Sequence, residues 1–191
     1  IRRVATTTHR VIDQAGDPSM KLHFVTSGLR TTTQDFGRPG YTHMGVPIGG
    51  ALDRSAMRYA NHLVGNDLAA PVLEITLSGP HLRCLEAGRV ALVGSGFDLL
   101  LNGEPQPPLL PISANPGDEL IIKSCGNGYR AYLSVSGEWH TKRWLGSASA
   151  LRIGSHELVP GAVWTRGDVL ETRDVSVKPW PSTLLVPQPP S

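Results

Sequence analysis

The chain reads as a mostly-β protein, a barrel of short strands carrying one helix. Three observations predict this. Glycine and proline are both abundant, 21 and 16 of 191 residues. The apolar runs are short and punctuated by turn signals. One segment carries a helical stripe.

Residues 1–19 are polar and poorly patterned and read as an N-terminal extension. Met20 opens the first clear strand, 21–26. From Gln34 to Leu52 the stretch QDFGRPGYTHMGVPIGGAL shows no periodicity and holds five glycines and two prolines. A structureless loop of this length inside a compact domain is uncommon and is usually functional. Asp53 then suits an N-cap. Ala56, Ala60, Leu63 and Val64 form an i, i+4, i+7, i+8 stripe, and Gly65 occupies the C′ position. These signals predict a helix over about 54–64.

Strands follow at 72–77, 82–85, 90–93 and 99–101. Asn102-Gly103 after the last of these is a hairpin signal, because Asn-Gly suits a type I′ turn. Pro116-Gly117-Asp118 turns into a strand at 119–123. Cys125-Gly126-Asn127-Gly128 turns into one at 129–135. Arg166-Gly167-Asp168 turns into one at 169–171 and reads as turn chemistry, not as an adhesion motif. Five prolines within 179–191 mark an extended linker. The expected organisation is a domain over 20–178 and a proline-rich linker over 179–191, handing over to another domain.

Several function classes recede. Net charge is +2, with the basic residues scattered, whereas a nucleic-acid binder concentrates charge on one face. No run reaches the roughly 18 apolar residues of a membrane span, and no signal-peptide pattern opens the chain, so a cytoplasmic protein is expected. Cys84 and Cys125 read as two buried thiols in a reducing compartment. The seven histidines lack metal-ligand spacing, so no metal is expected. There is no Gly-x-Ser-x-Gly elbow and no Walker-type loop. Val93-Gly94-Ser95-Gly96 precedes a strand, which favours a tight turn over a dinucleotide fingerprint. Asp53 is read as a helix cap. Glu74 lies inside an apolar strand, either on its solvated face, the favoured reading, or as a buried acid.

The glycine-rich stretch is the most informative. Asp35 and Arg38, three residues apart, either brace the loop as an ion pair or face a ligand. In the second case the guanidinium would hold a carboxylate or phosphate in bidentate fashion.

GLRTTTQDFGRPGYTHMGVPIGGALD (28–53), NHLVGN (61–66), LEITLSGP (73–80), RAYLSVSG (130–137) and LGSAS (145–149) occur in this order. The ordered set resembles the landmarks of the carboxyltransferase-domain family, which includes the C-type subunit of 5-oxoprolinase, allophanate hydrolase subunit 2 and KipA. The resemblance covers about Met20 to Val186. It implies a cyclophilin-like β-barrel acting with a homologous, KipI-like B-type subunit and a third hydrolase subunit. It implies ATP-dependent hydrolysis of a small amide or lactam, 5-oxoproline to glutamate, with ATP used by the assembled complex. Behind this favoured reading stand two alternatives: biotin-dependent carboxyl transfer of the urea carboxylase type, or a KipA-like module antagonising a kinase inhibitor. The chain departs from the family in stopping where a second barrel-like half begins, and in Glu138–His140, where relatives are richer in glycine. On this resemblance Asp35 and Arg38 are the candidate catalytic residues, Arg38 holding an anion and Asp35 orienting it or handling a proton. Gln34, Gly37, Tyr41, Gly49 and Gly50 are the candidate substrate-binding residues.

Overall fold

The computed structural model describes residues 20–153 and 156–173; the expected extension at 1–19 and linker at 179–191 lie outside them. The strands are β1 (Lys21–Thr26), β2 (Arg30–Gln34), β3 (Val72–Thr76), β4 (His81–Glu86), β5 (Gly88–Val93), β6 (Phe97–Leu101), β7 (Glu104–Pro105) and β8 (Ile112–Ala114). They continue with β9 (Glu119–Ser124), β10 (Arg130–Val135), β11 (Glu138–Trp139), β12 (Arg152–Ile153), β13 (His156–Glu157) and β14 (Val169–Arg173). Helix α1 spans Arg54–Val64.

The mostly-β class holds, but among the described residues the strands do not close into a barrel. They form a seven-stranded sheet, β11-β14-β1-β4-β9-β6-β7, and a five-stranded sheet, β2-β3-β10-β5-β8, with β12-β13 as a separate pair. Closure needs a hydrogen-bonded ladder that runs unbroken around the wall. Here β7 and β11 are two residues long and β8 three, too short to carry such a ladder from one sheet to the other.

Alternation explains where the core sits. In β1, Leu22 and Phe24 are fully buried while Lys21 and His23 are only half-buried. Leu73 and Ile75 of β3, Leu82 of β4, Leu120 and Ile122 of β9 and Leu133 of β10 join them between the sheets. Each such side chain contributes roughly 1.5–3 kcal/mol by leaving water. Phe24 also stacks on Trp164, with ring centroids 4.7 Å apart.

Helix α1 forms where its local signals place it. The Asp53 carboxylate accepts from the Ser55 and Ala56 amides, and Gly65 closes the helix in the left-handed region. Its inward stripe of Met57, Ala60, Leu63 and Val64 packs on Val72, Ala91, Val93 and Tyr132, the outer face of the five-stranded sheet.

The hairpin at Asn102-Gly103 joins β6 to β7, with positive φ at both residues. One expectation about the thiols is overturned. Cys84 is buried in β4, but Cys125 is exposed, in the turn just past the end of β9. There its sulfur donates to Asp98 Oδ2 at 3.0 Å.

Candidate functional site

Strand β2, RTTTQ, is polar yet its last four residues are buried. It persists because its hydroxyls are bonded: Thr31 to the Ser27 carbonyl, Thr32 from Gln34 Nε2 and Thr33 from the Trp164 indole. Beyond β2 the chain enters the glycine-rich loop, which holds one short 3-10 turn at Thr42–Met44. The loop is pinched at its base. The Arg38 amide donates to the Ile48 carbonyl at 2.8 Å, and the Ala51 amide to the Asp35 carbonyl at 2.9 Å. Gly37 permits this approach: at φ +80 its β-carbon would lie 2.4 Å from the Ile48 oxygen.

The far end of the loop is anchored by Glu74. Contrary to the solvated-face reading, Glu74 is buried. Its carboxylate accepts from the Leu52 amide at 2.8 Å and from Arg130 Nη1 at 2.9 Å. The next amide, Asp53, donates to the Tyr132 hydroxyl at 2.7 Å. Burial raises the Tyr132 pKa, and the nearby Glu74 charge adds to the rise.

Asp35 is buried and fully engaged. Oδ1 accepts from the Gly37 amide at 2.7 Å and from the Ser147 and Ser149 hydroxyls, each at 2.6 Å. Oδ2 accepts from the Ala148 amide at 2.7 Å and pairs with Arg143 Nη1 at 3.5 Å. A carboxylate offers about four lone-pair sites, and these five contacts fill them. The Asp35 amide completes the clasp by donating to Ser149 Oγ at 2.9 Å.

Arg38 is wholly buried beside it. The two do not pair directly: Ser147 gives its proton to Asp35 and accepts from Arg38 Nη2 at 3.4 Å. Nη2 also donates to the Ser149 carbonyl, and Nε to the Trp144 carbonyl at 3.4 Å. The guanidinium carbon lies 5.5 Å from the Trp144 ring centroid, within cation–π range. The fork is therefore turned inward, and a bidentate grip on a ligand is not available in this arrangement. One donor remains. Nη1 is buried without a partner. Burial pulls the Arg38 pKa down from its ordinary value, and the neighbouring Asp35 charge opposes that shift.

The structure thus gathers Asp35, Gly37, Arg38, Gly49 and Gly50 at the base of the loop. Gln34 stands apart, bonded to Thr32 along β2 and keeping a buried, unpartnered Oε1. Tyr41 is half-buried on the loop, its carbonyl accepting from Met44 and Val46. The residues that sequence reasoning missed are Arg143, Trp144, Ser147 and Ser149. LGSAS was read only as a landmark, and its alternating serines were the available signal. Among the described residues no group of three or more His, Cys, Asp or Glu side chains is placed to hold a metal, and no helix is long and apolar enough to cross a membrane.

Comparison with known proteins agrees with this architecture. Residues 44–191 match the family described as carboxyltransferase domain, subdomain A and B. The chain is 34% identical over 169 residues to a urea amidolyase of Lachancea kluyveri, covering 88% of this chain and 9% of that protein. It is 37% identical over 134 residues to the C-type subunit of the Escherichia coli 5-oxoprolinase, covering 70% of this chain and 43% of that protein. The crystal structure of the K. lactis urea amidolyase superposes with a TM-score of 0.74 at 35% identity, over 84% of this chain and 10% of that one. The chain spans less than half the length of each of these relatives. With the matched segment exceeding half of its residues, the chain belongs to the carboxyltransferase-domain family, subdomains A and B.

Proposed function

We propose that this chain is the anion-holding part of a subunit of an ATP-dependent amide hydrolase of the 5-oxoprolinase type. It opens 5-oxoproline to glutamate in the cytoplasm, together with a homologous B-type subunit and a third hydrolase subunit. The observation that carries this reading is Arg38, a buried cation with one unused donor beneath a glycine-rich loop, in a chain 37% identical to a C-type 5-oxoprolinase subunit. A lactam carbonyl is a poor electrophile, and ATP, used by the assembled complex, supplies the activation. What the site contributes is fixed positive charge and a water-poor cradle, which act most strongly where the local dielectric is low.

In this reading Asp35 is a positioning residue, because its lone pairs are already occupied. It locks Ser147 and Ser149, and they lock Arg38. Gly37, Gly49 and Gly50 let the backbone approach the substrate. Tyr41 hydrogen-bonds its amide.

A second reading, biotin-dependent carboxyl transfer to urea, is favoured by the longer match, 169 residues, to a urea amidolyase. One reconstitution separates the two. The full-length protein is combined with the candidate homologous and hydrolase subunits, and glutamate release with ATP is measured beside carboxybiotin-dependent urea carboxylation. Glutamate release that needs this chain supports the first reading. Urea carboxylation alone supports the second, and silence in both assays overturns both.

A further inference from the structure

The chain holds two Asn-Gly pairs, Asn102-Gly103 and Asn127-Gly128, and both stand in connections between strands. Such a pair is chemically labile, because a glycine nitrogen has no neighbouring side chain to keep the asparagine carboxamide away from it. The structure treats the two pairs in opposite ways. Asn102, between β6 and β7, is held at both atoms of its carboxamide. Its Nδ2 donates to Asp118 Oδ1 at 2.8 Å, and its Oδ1 accepts from the Glu119 amide at 2.9 Å. Asn127, between β9 and β10, is exposed, and among the described residues its side chain has no hydrogen-bond partner. The Gly128 amide that follows it also donates to nothing among the described residues.

We propose that Asn127 is a self-modifying position of the folded chain, converting to isoaspartate and aspartate, while Asn102 stays intact. The Gly128 nitrogen attacks Asn127 Cγ as it releases its proton. The new C–N bond closes a succinimide ring, the Cγ–Nδ2 bond breaks, and Nδ2 leaves as ammonia with a proton. Water then opens the ring. Addition at Cγ restores the ordinary peptide bond and leaves aspartate. Addition at the main-chain carbonyl carbon leaves the chain running through Cγ, as isoaspartate. Water is consumed and ammonia released, and nothing is oxidised or reduced. To reach the attack geometry Asn127 breaks no hydrogen bond, whereas Asn102 gives up both of its own. The isoaspartate does not fit where the asparagine did. Gly128 lies flat against the turn after β5: a β-carbon on Gly128 would fall inside the Ser95 carbonyl oxygen, and one on Gly96 would overlap the Gly128 nitrogen. The Cys125 amide donates to the Gly96 carbonyl at 2.8 Å across the same contact. Isoaspartate adds a methylene to the main chain and a carboxylate beside it, so the two turns must part. Asn127 is thus a slow, one-way release of the contact between the β5–β6 and β9–β10 turns.

The test incubates the full-length protein, folded and in urea, side by side in mildly alkaline buffer. Tryptic peptides 90–123 and 124–130 report Asn102 and Asn127 separately by mass spectrometry, and methylation by an isoaspartyl methyltransferase marks the isoaspartate. In urea both peptides should convert at comparable rates. In the folded protein Asn127 should keep that pace, and Asn102 should slow by about tenfold or more, because two hydrogen bonds break before attack. Asn127→Gln should abolish the change in peptide 124–130, since glutamine closes a larger ring far more slowly, and the exposed position tolerates the added methylene. The isoaspartate form, separated by its extra negative charge, should exchange the Cys125 amide proton faster than the unmodified form. An Asn127 that stays intact in the folded protein while it converts in urea overturns the proposal. Equal conversion of Asn102 and Asn127 in the folded chain overturns it as well. Unchanged Cys125 exchange in the isoaspartate form overturns the parting of the turns.

Discussion

Helix α1 and the loop before it are joined end to end but are held by different means. The helix carries its own instructions: a cap at Asp53, an apolar stripe and a glycine stop, all within 53–65. The loop carries almost none. Its base is fastened by Ser147, Ala148 and Ser149, more than 100 positions away, and its far end by Glu74 on β3. A segment held by its own neighbours survives local damage piecemeal. A segment held by remote partners stands or falls with a single polar knot.

That contrast can be broken most forcefully at Asp35. Asp35→Ala removes the acceptor of five contacts and leaves Arg143 and the Arg38 cluster uncompensated. It should cost about 3–5 kcal/mol in urea unfolding, as breaking a buried charge network does. Hydrogen exchange should rise across 35–52 and 143–149 and stay low in α1. Equal exchange rises in helix and loop would show that the two are one cooperative unit.

Ser149→Ala is a milder cut through the same knot. It removes a donor to Asp35 and the acceptor of the Asp35 amide, and should cost about 1–3 kcal/mol. Combined with Asp35→Ala it should add little, because both break one network. Full additivity in the double mutant would dissolve the knot into independent bonds.

On the helix side, Asp53→Ala should cost about 1 kcal/mol, the usual loss of an N-cap. Faster amide exchange should be confined to the first turn, and the loop should keep its protection. Loss of protection in the loop would instead mean that the cap also fastens the loop.

The remaining test concerns the two thiols, Cys84 in β4 and Cys125 just past β9. Burial, reinforced by Asp118, raises the Cys84 pKa from 9.0 to about 11. Between those values the unfolded chain has released the proton and the folded chain still holds it. Stability from this group is therefore full below pH 9 and falls as pH rises towards 11. Urea midpoints at pH 8 and pH 10.5 should draw together in Cys84→Ala relative to the unaltered protein. At pH 8 a thiol reagent should label Cys125 alone until the chain unfolds.

What could be read in advance follows the same division. Strand β1 and helix α1 were legible to the residue, because alternation and capping are local patterns. Strand β2 was not. Its buried threonines have no apolar rhythm, and their partners, Ser27 aside, lie far off in sequence or along the same polar strand. The inward turn of the Arg38 fork was equally hidden, since it depends on carbonyls at 144 and 149. Glu74 looked solvated because sequence does not show that a loop folds over its face. The open edges between the sheets depend on strands of two and three residues, below what a periodic signal can resolve.

Strand β1 pairs with β4 on one side and with β14 on the other, and the Met20 amide reaches Thr172 across 152 positions. During synthesis at about 5–20 residues per second, β1 therefore emerges roughly 7–30 s before its last neighbour exists. In that interval one of its edges is an unpaired template, open to any extended chain nearby. The ribosome sets the length of that exposure, so a slower codon run between β4 and β14 would lengthen it without altering a single residue of the finished protein.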